Sequence, residues 1–219
     1  MGIRKFILLG AVLLLAAPLA AQAFDSDFER FEKKFLGLKA FHCRFSQEYY
    51  DEPADQTLEG HGQLWYQSPG LMRWSYEGDD PLVIILGKKK LWIVDPLLEN
   101  VTIERASKVR KLPSLGFFFD KTPFKKNYKQ VRTEQPLLKS TAQTKFYTLQ
   151  PLKPTEAIKE LQLLIVKDNA QLKAIAILDH ANNWRKLEFT HFKTNPAIPP
   201  QTFSHATPSD MEVIDRVTN

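Results

Sequence analysis

From Phe41 onward, apolar positions recur with a period of two in short segments that continue almost to the C-terminus. That alternation predicts strands at about 41–50, 57–66, 71–77, 82–86, 90–95 and 99–105, then at 127–134, 144–149, 159–167, 171–178 and 184–192, with a last short one near 201–205. Gly, Pro, Asp and Asn separate the segments, and Asp168-Asn169 and Asn182-Asn183 mark tight turns. Before Phe41 the period is helical. Phe28, Phe31, Phe35 and Leu38 recur among Glu, Lys and Arg, Ser26 with Glu29 has capping-box form, and the helix is expected to end near Gly37. The pattern is therefore mainly β: one amphipathic helix and about eleven or twelve antiparallel strands.

So many antiparallel strands imply one large curved sheet or a barrel, whose inner face must be covered. The sequence offers two covers, the N-terminal helix and the segment 106–120, and neither is long. An incompletely filled barrel follows, and larger barrels of this kind enclose ligand cavities. The second cover contains Pro113-Ser114-Leu115-Gly116-Phe117-Phe118-Phe119-Asp120. Three adjacent rings cannot all meet one ordinary core, since a helix spreads them over roughly 200° and a strand sends neighbours to opposite faces. Leu115, Phe117, Phe118 and Phe119 accordingly need apolar matter on more than one side, either as a movable lid or as a plug at one end of the barrel.

The first residues change the setting. Arg4-Lys5, an uncharged apolar run from Phe6 to Leu19 and Ala21-Gln22-Ala23 have the form of a cleavable signal peptide. Residues 1–23 are read as that peptide and 24–219 as one exported domain. Without Arg4 and Lys5 the basic count falls from 30 to 28 against 25 acidic residues, a net charge of +3 that is too balanced to point to nucleic acid. Cys43 is the single cysteine, so no internal disulfide is available. It alternates with Phe41 and Phe45, which marks a buried, inert thiol.

Motifs for catalysis are missing. His42, His61, His180, His191 and His205 have no metal-ligand spacing, and there is no Gly-x-Ser-x-Gly, Ser-x-x-Lys or glycine-rich phosphate loop. The reading is a protein that is not an enzyme and carries no cofactor or metal. Lys88-Lys89-Lys90 sits between two apolar strands, either as a solubilising hairpin tip or as a docking surface for acidic proteins or lipid headgroups. The more telling residues are Met72, Trp74 and Tyr76, which alternation places on one strand face while Leu71, Arg73 and Ser75 take the other. With a sheet too large for its covers, that soft aromatic stripe reads as the lining of a lipid-sized pocket.

Phe41-His42-x-x-Phe45-Ser46-Gln47, Glu59-Gly60-x-Gly62-x-Leu64-Trp65, Pro69-Gly70-x-x-Arg73-Trp74, Gly87-Lys88, Leu91-Trp92-x-x-Asp95-Pro96 and Glu99-x-Val101-Thr102 follow one another in order. This series resembles the LolA family of outer-membrane lipoprotein carriers over essentially the whole mature chain. The resemblance implies an unclosed antiparallel half-barrel with a helical lid over a hydrophobic cavity. It also implies a monomeric periplasmic chaperone that takes acylated lipoproteins from a LolCDE-type inner-membrane transporter to a LolB-type outer-membrane receptor. Met72 and Trp74 fall where the family lines its cavity, and with Phe45 and Tyr76 they form the candidate acyl-chain site. The lid segment falls on the family's lid helix. Family members commonly carry a basic residue before the turn proline as a lid latch, whereas this chain has Ser68 before Pro69.

Two other classes compete. A LolB-like receptor is disfavoured because no cysteine follows the signal peptide, and an envelope-stress sensor because no second domain precedes Asn219. A periplasmic hydrolase would need a nucleophile and base that the sequence does not display.

Overall fold

The computed structural model describes residues 23–109 and 122–217. It opens with helix α1, Ser26–Leu36, whose Phe28, Phe31 and Phe35 are buried along one stripe. The N-cap is Asp25 rather than Ser26: its carboxylate accepts the Phe28 N–H at 3.1 Å. Asp25 wins because its carboxylate is also held by Lys145 and Tyr147. Asp27 and Glu29 in the first turn and Lys33 and Lys34 in the last complement the helix dipole.

Twelve strands follow: β1 Ala40–Asp51, β2 Gln56–Gln67, β3 Leu71–Glu77, β4 Val83–Leu86, β5 Lys90–Asp95, β6 Asn100–Arg105, β7 Tyr128–Val131, β8 Thr144–Pro151, β9 Glu160–Val166, β10 Gln171–Leu178, β11 Trp184–Thr194 and β12 Glu212–Asp215. A short helix α2, Ala106–Val109, follows β6, and 3-10 turns occupy Phe124–Lys126 and Pro200–Phe203. All strands join one unclosed sheet in the order β12-β6-β5-β4-β3-β2-β1-β11-β10-β9-β8-β7. Two antiparallel meanders, β1 to β6 and β7 to β11, are thus stitched together where β1 pairs with β11. A twisted sheet of this size curls, which gives it a concave and a convex face.

Three elements depart from the alternation pattern. The segment near 201–205 is a 3-10 turn, because Pro199 and Pro200 fix the backbone angle and remove two ladder donors. The last strand is instead β12, which runs parallel to β6 with Val213 opposite Val101. The strand expected over 127–134 stops at Val131. Beyond it the chain crosses the convex face, where buried Gln162 accepts the Leu137 N–H at 2.9 Å and donates to the Gln135 carbonyl at 2.8 Å. Leu138 then packs with Ala174 and Ala176.

The convex face over β1 to β3 is polar: Arg44 meets Glu77 at 2.7 Å, and Gln63 donates to the same carboxylate at 2.6 Å. The main core lies on the other face. It joins the α1 phenylalanines to Phe41, Cys43, Phe45, Leu64, Met72, Trp74, Leu86, Leu91, Tyr147, Leu161, Leu163, Ile175, Leu187 and Phe189.

Candidate functional site

Strand register builds the concave wall. Phe45 on β1 lies opposite Gly62 on β2, which lies opposite Tyr76 on β3. A side chain at Gly62 would put its Cβ 1.9 Å from the Ser75 carbonyl oxygen, so only glycine allows β2 and β3 to approach this closely. The bare position also leaves room above it. The Phe45 and Tyr76 rings meet there edge to face, centroids 5.2 Å apart, and the Tyr76 hydroxyl donates to Gln47 Oε1 at 3.0 Å. Trp74 lies between Leu64 and Ile84 in register and meets the Phe45 ring at 5.3 Å. Met72 is buried one step further along β3.

Phe45, Met72, Trp74 and Tyr76 are therefore brought to one surface, the first three buried and Tyr76 partly so. The expected lid residues Leu115, Phe117, Phe118 and Phe119 lie outside the described residues, as does the signal peptide up to residue 22.

Over the β8 to β10 side of the same face lies α1. Phe28 stacks on Phe24 at 4.3 Å and meets Tyr147 at 5.1 Å and Phe124 at 5.7 Å, while Phe31 lies 5.5 Å from Phe35. This aromatic cluster covers Tyr147 of β8 and the apolar surface around it with rings from α1, from Phe24 just before it and from one 3-10 turn. The sequence signal for the helical rings is their spacing at i, i+3 and i+7. Phe124 carries no periodic signal in the sequence; its backbone N–H donates to Glu32, which ties its turn to α1.

Three cationic side chains hold α1 down. Lys145 reaches Asp25 at 2.6 Å and Asp27 at 3.2 Å, Arg30 donates to the Lys167 carbonyl, and Lys34 donates to the Asn169 carbonyl at 2.9 Å. Burial alone would raise the Asp25 pKa, but hydrogen bonds from Lys145, Tyr147 and the Phe28 N–H outweigh it and lower the value below the usual 3.8. The hydrogen bond to Asp25 in turn raises Lys145. All of these anchors are polar and sit at the rim, so they can exchange with water while the rings stay apolar.

Other sequence candidates fall elsewhere. Lys88 and Lys89 are exposed between β4 and β5, and Lys90 opens β5. Ser68 lies in the β2 to β3 turn, its N–H donating to the Lys39 carbonyl at 2.8 Å. No group of three or more His, Cys, Asp or Glu suited to a metal occurs among the described residues.

Comparison with known proteins agrees with this architecture. The family model described as "Outer membrane lipoprotein carrier protein LolA" matches residues 37–206. Relatives of the same kind include the outer-membrane lipoprotein carrier protein of Pseudoalteromonas translucida, 22% identical over 94% of this chain and 95% of its own. That of Chromohalobacter salexigens is 25% identical over 91% and 92%. Among solved structures, an uncharacterized conserved protein from Thermus thermophilus aligns with a TM-score of 0.52 at 13% identity, covering 87% of this chain and 97% of that one, a likeness of fold alone. With most of its length matched by the family model, and with the ordered strand motifs in place, the chain belongs to the LolA family of outer membrane lipoprotein carrier proteins.

Proposed function

We propose that this protein is a periplasmic chaperone that receives acylated lipoproteins from a LolCDE-type transporter and passes them, as a monomer, to a LolB-type outer-membrane receptor. The acyl chains are sheltered on the concave face, against Phe45, Met72, Trp74 and Tyr76, with Leu115, Phe117, Phe118 and Phe119 as a lid. The observation that carries this reading is the cover over that face. It consists of side chains of one helix, of Phe24 just before it and of one 3-10 turn, fastened to the sheet at its rim by exchangeable polar contacts. Such a cover can be displaced without breaking a strand ladder. It also moderates affinity: burying an acyl chain is worth about 0.8 kcal/mol per methylene, and rings that refill the space when cargo leaves offset part of that gain.

The test is release of lipoproteins from spheroplasts. Wild-type mature protein is expected to release them into the soluble fraction and to yield bound lipid on extraction. Met72→Glu, which places a carboxylate in the apolar wall without a partner, is expected to release far less while remaining folded. Equal release by the two proteins removes Met72 from the site, and no release by the wild type ends the carrier reading.

A further inference from the structure

Trp74 is 8% exposed, and its indole Nε1–H is buried without a hydrogen-bond partner among the described residues. A buried indole normally places its N–H against an acceptor, because a desolvated donor left unpaired is unfavourable. Among the described residues its known neighbours offer no good acceptor. Its register neighbours are Leu64 and Ile84, Met72 packs in the same cluster, and Phe45 presents only a ring, whose π face is at best a weak acceptor.

A ligand on the wall that brings an acceptor would satisfy this donor. A hydrocarbon tail has none. The carbonyl oxygen of the ester or amide that joins an acyl tail to its head group is an acceptor at the boundary between apolar and polar ligand. We infer that the Trp74 Nε1–H donates a hydrogen bond to an acyl carbonyl oxygen of the bound lipid. This inference rests on the carrier reading and adds a positional rule to it. Tails are held by non-directional burial, while Trp74 fixes how far along the wall the tail ends and the linkage begins. The site consequently prefers acyl esters or amides over plain hydrocarbon of equal length.

The experiment uses the mature protein loaded with the neutral fluorophore N-phenyl-1-naphthylamine and displaces it with methyl laurate or with 1-tridecene, which lacks the carbonyl. In Trp74→Phe the ratio of the two affinities is expected to fall roughly three- to tenfold, the worth of one hydrogen bond, whatever packing loss both ligands share. A triacylated cysteine peptide and phosphatidylglycerol serve as further competitors. A specific loss with either supports the anchor, and the pair tells whether lipoprotein or phospholipid supplies the carbonyl. Should the variant fold poorly, the wild type still decides: carbonyl-labelled methyl laurate is expected to show its infrared stretch shifted to lower frequency on binding. An unchanged affinity ratio, or a carbonyl stretch equal to that in hexane, overturns the inference while leaving the carrier reading standing. A wild-type protein displaced by neither ligand overturns both.

Discussion

Phe45 and Tyr76 belong to strands that are not neighbours, yet their rings meet at 5.2 Å because Gly62, on the strand between them, carries no side chain. The wall is thus made continuous across three strands by an absence. Gly62→Ala is expected to destabilise the protein by about 1–3 kcal/mol through overpacking against the Ser75 carbonyl. A urea titration followed by tryptophan fluorescence measures it. An unchanged midpoint would mean that β2 and β3 part freely and that the close approach is not required.

Phe31 is 1% exposed within the aromatic cover. Its replacement by Ala removes a large buried ring, for which about 3–5 kcal/mol is the usual loss where the site cannot collapse. If the ring competes with acyl chains, Phe31→Ala loses that stability without ligand but binds N-phenyl-1-naphthylamine at least as tightly as the wild type. Parallel loss of stability and affinity would instead make the ring a fixed part of the core.

The Asp25 carboxyl has a folded pKa below its ordinary 3.8, so its contribution to stability is present above 3.8 and is lost as the pH falls through the lowered value. Asn caps a helix about as well as Asp, so Asp25→Asn removes the charge and spares the cap. Asp25 and Lys145 are 40% and 36% exposed, which limits the loss near neutral pH to about 0.5–1 kcal/mol. The gap from wild type is expected to close as the pH is taken below 3.8, in thermal melts read across pH. A gap that stays constant down to acid pH would assign the effect to the cap and not to the charge.

Burial pushes the Cys43 thiol up to about 12, and the side chain is fully covered. Native protein should therefore resist iodoacetamide at pH 8 and label fully in denaturant. Rapid labelling of the native state would show that the β1 side of the core opens far more often than its packing implies.

Alternation made most of the sheet legible, including the face shared by Met72, Trp74 and Tyr76, because a half-buried strand writes its burial directly into every second residue. The same rule fails where burial is not the cause of structure. Glu212-Val213-Ile214-Asp215 is a strand because it finds Asn100–Ile103, more than a hundred residues upstream, and its own pattern carries no alternation. Gln201-Thr202-Phe203 looks extended in sequence, but the prolines before it dictate a turn. At the site, the helical spacing of Phe28, Phe31 and Phe35 announced a cover, whereas the part played by Phe124 depends on its meeting α1 in space. The anchoring role of Asp25 likewise needed Lys145, a partner 120 residues away.

The strands at the two ends of the sheet, β7 and β12, do not pair with each other. In a closed barrel the number of strands and their shear fix the diameter, so the interior has one size. Here that geometric lock is missing, and a small change in twist at each of many ladders alters the girth while every inter-strand hydrogen bond survives. The resistance to widening then comes from packing and side-chain contacts on the two faces, the larger core being the concave one. The curvature of this sheet is therefore set by what packs against it, and on the carrier reading proposed above cargoes with different acyl volumes would each be gripped closely by the same hydrogen-bonded wall.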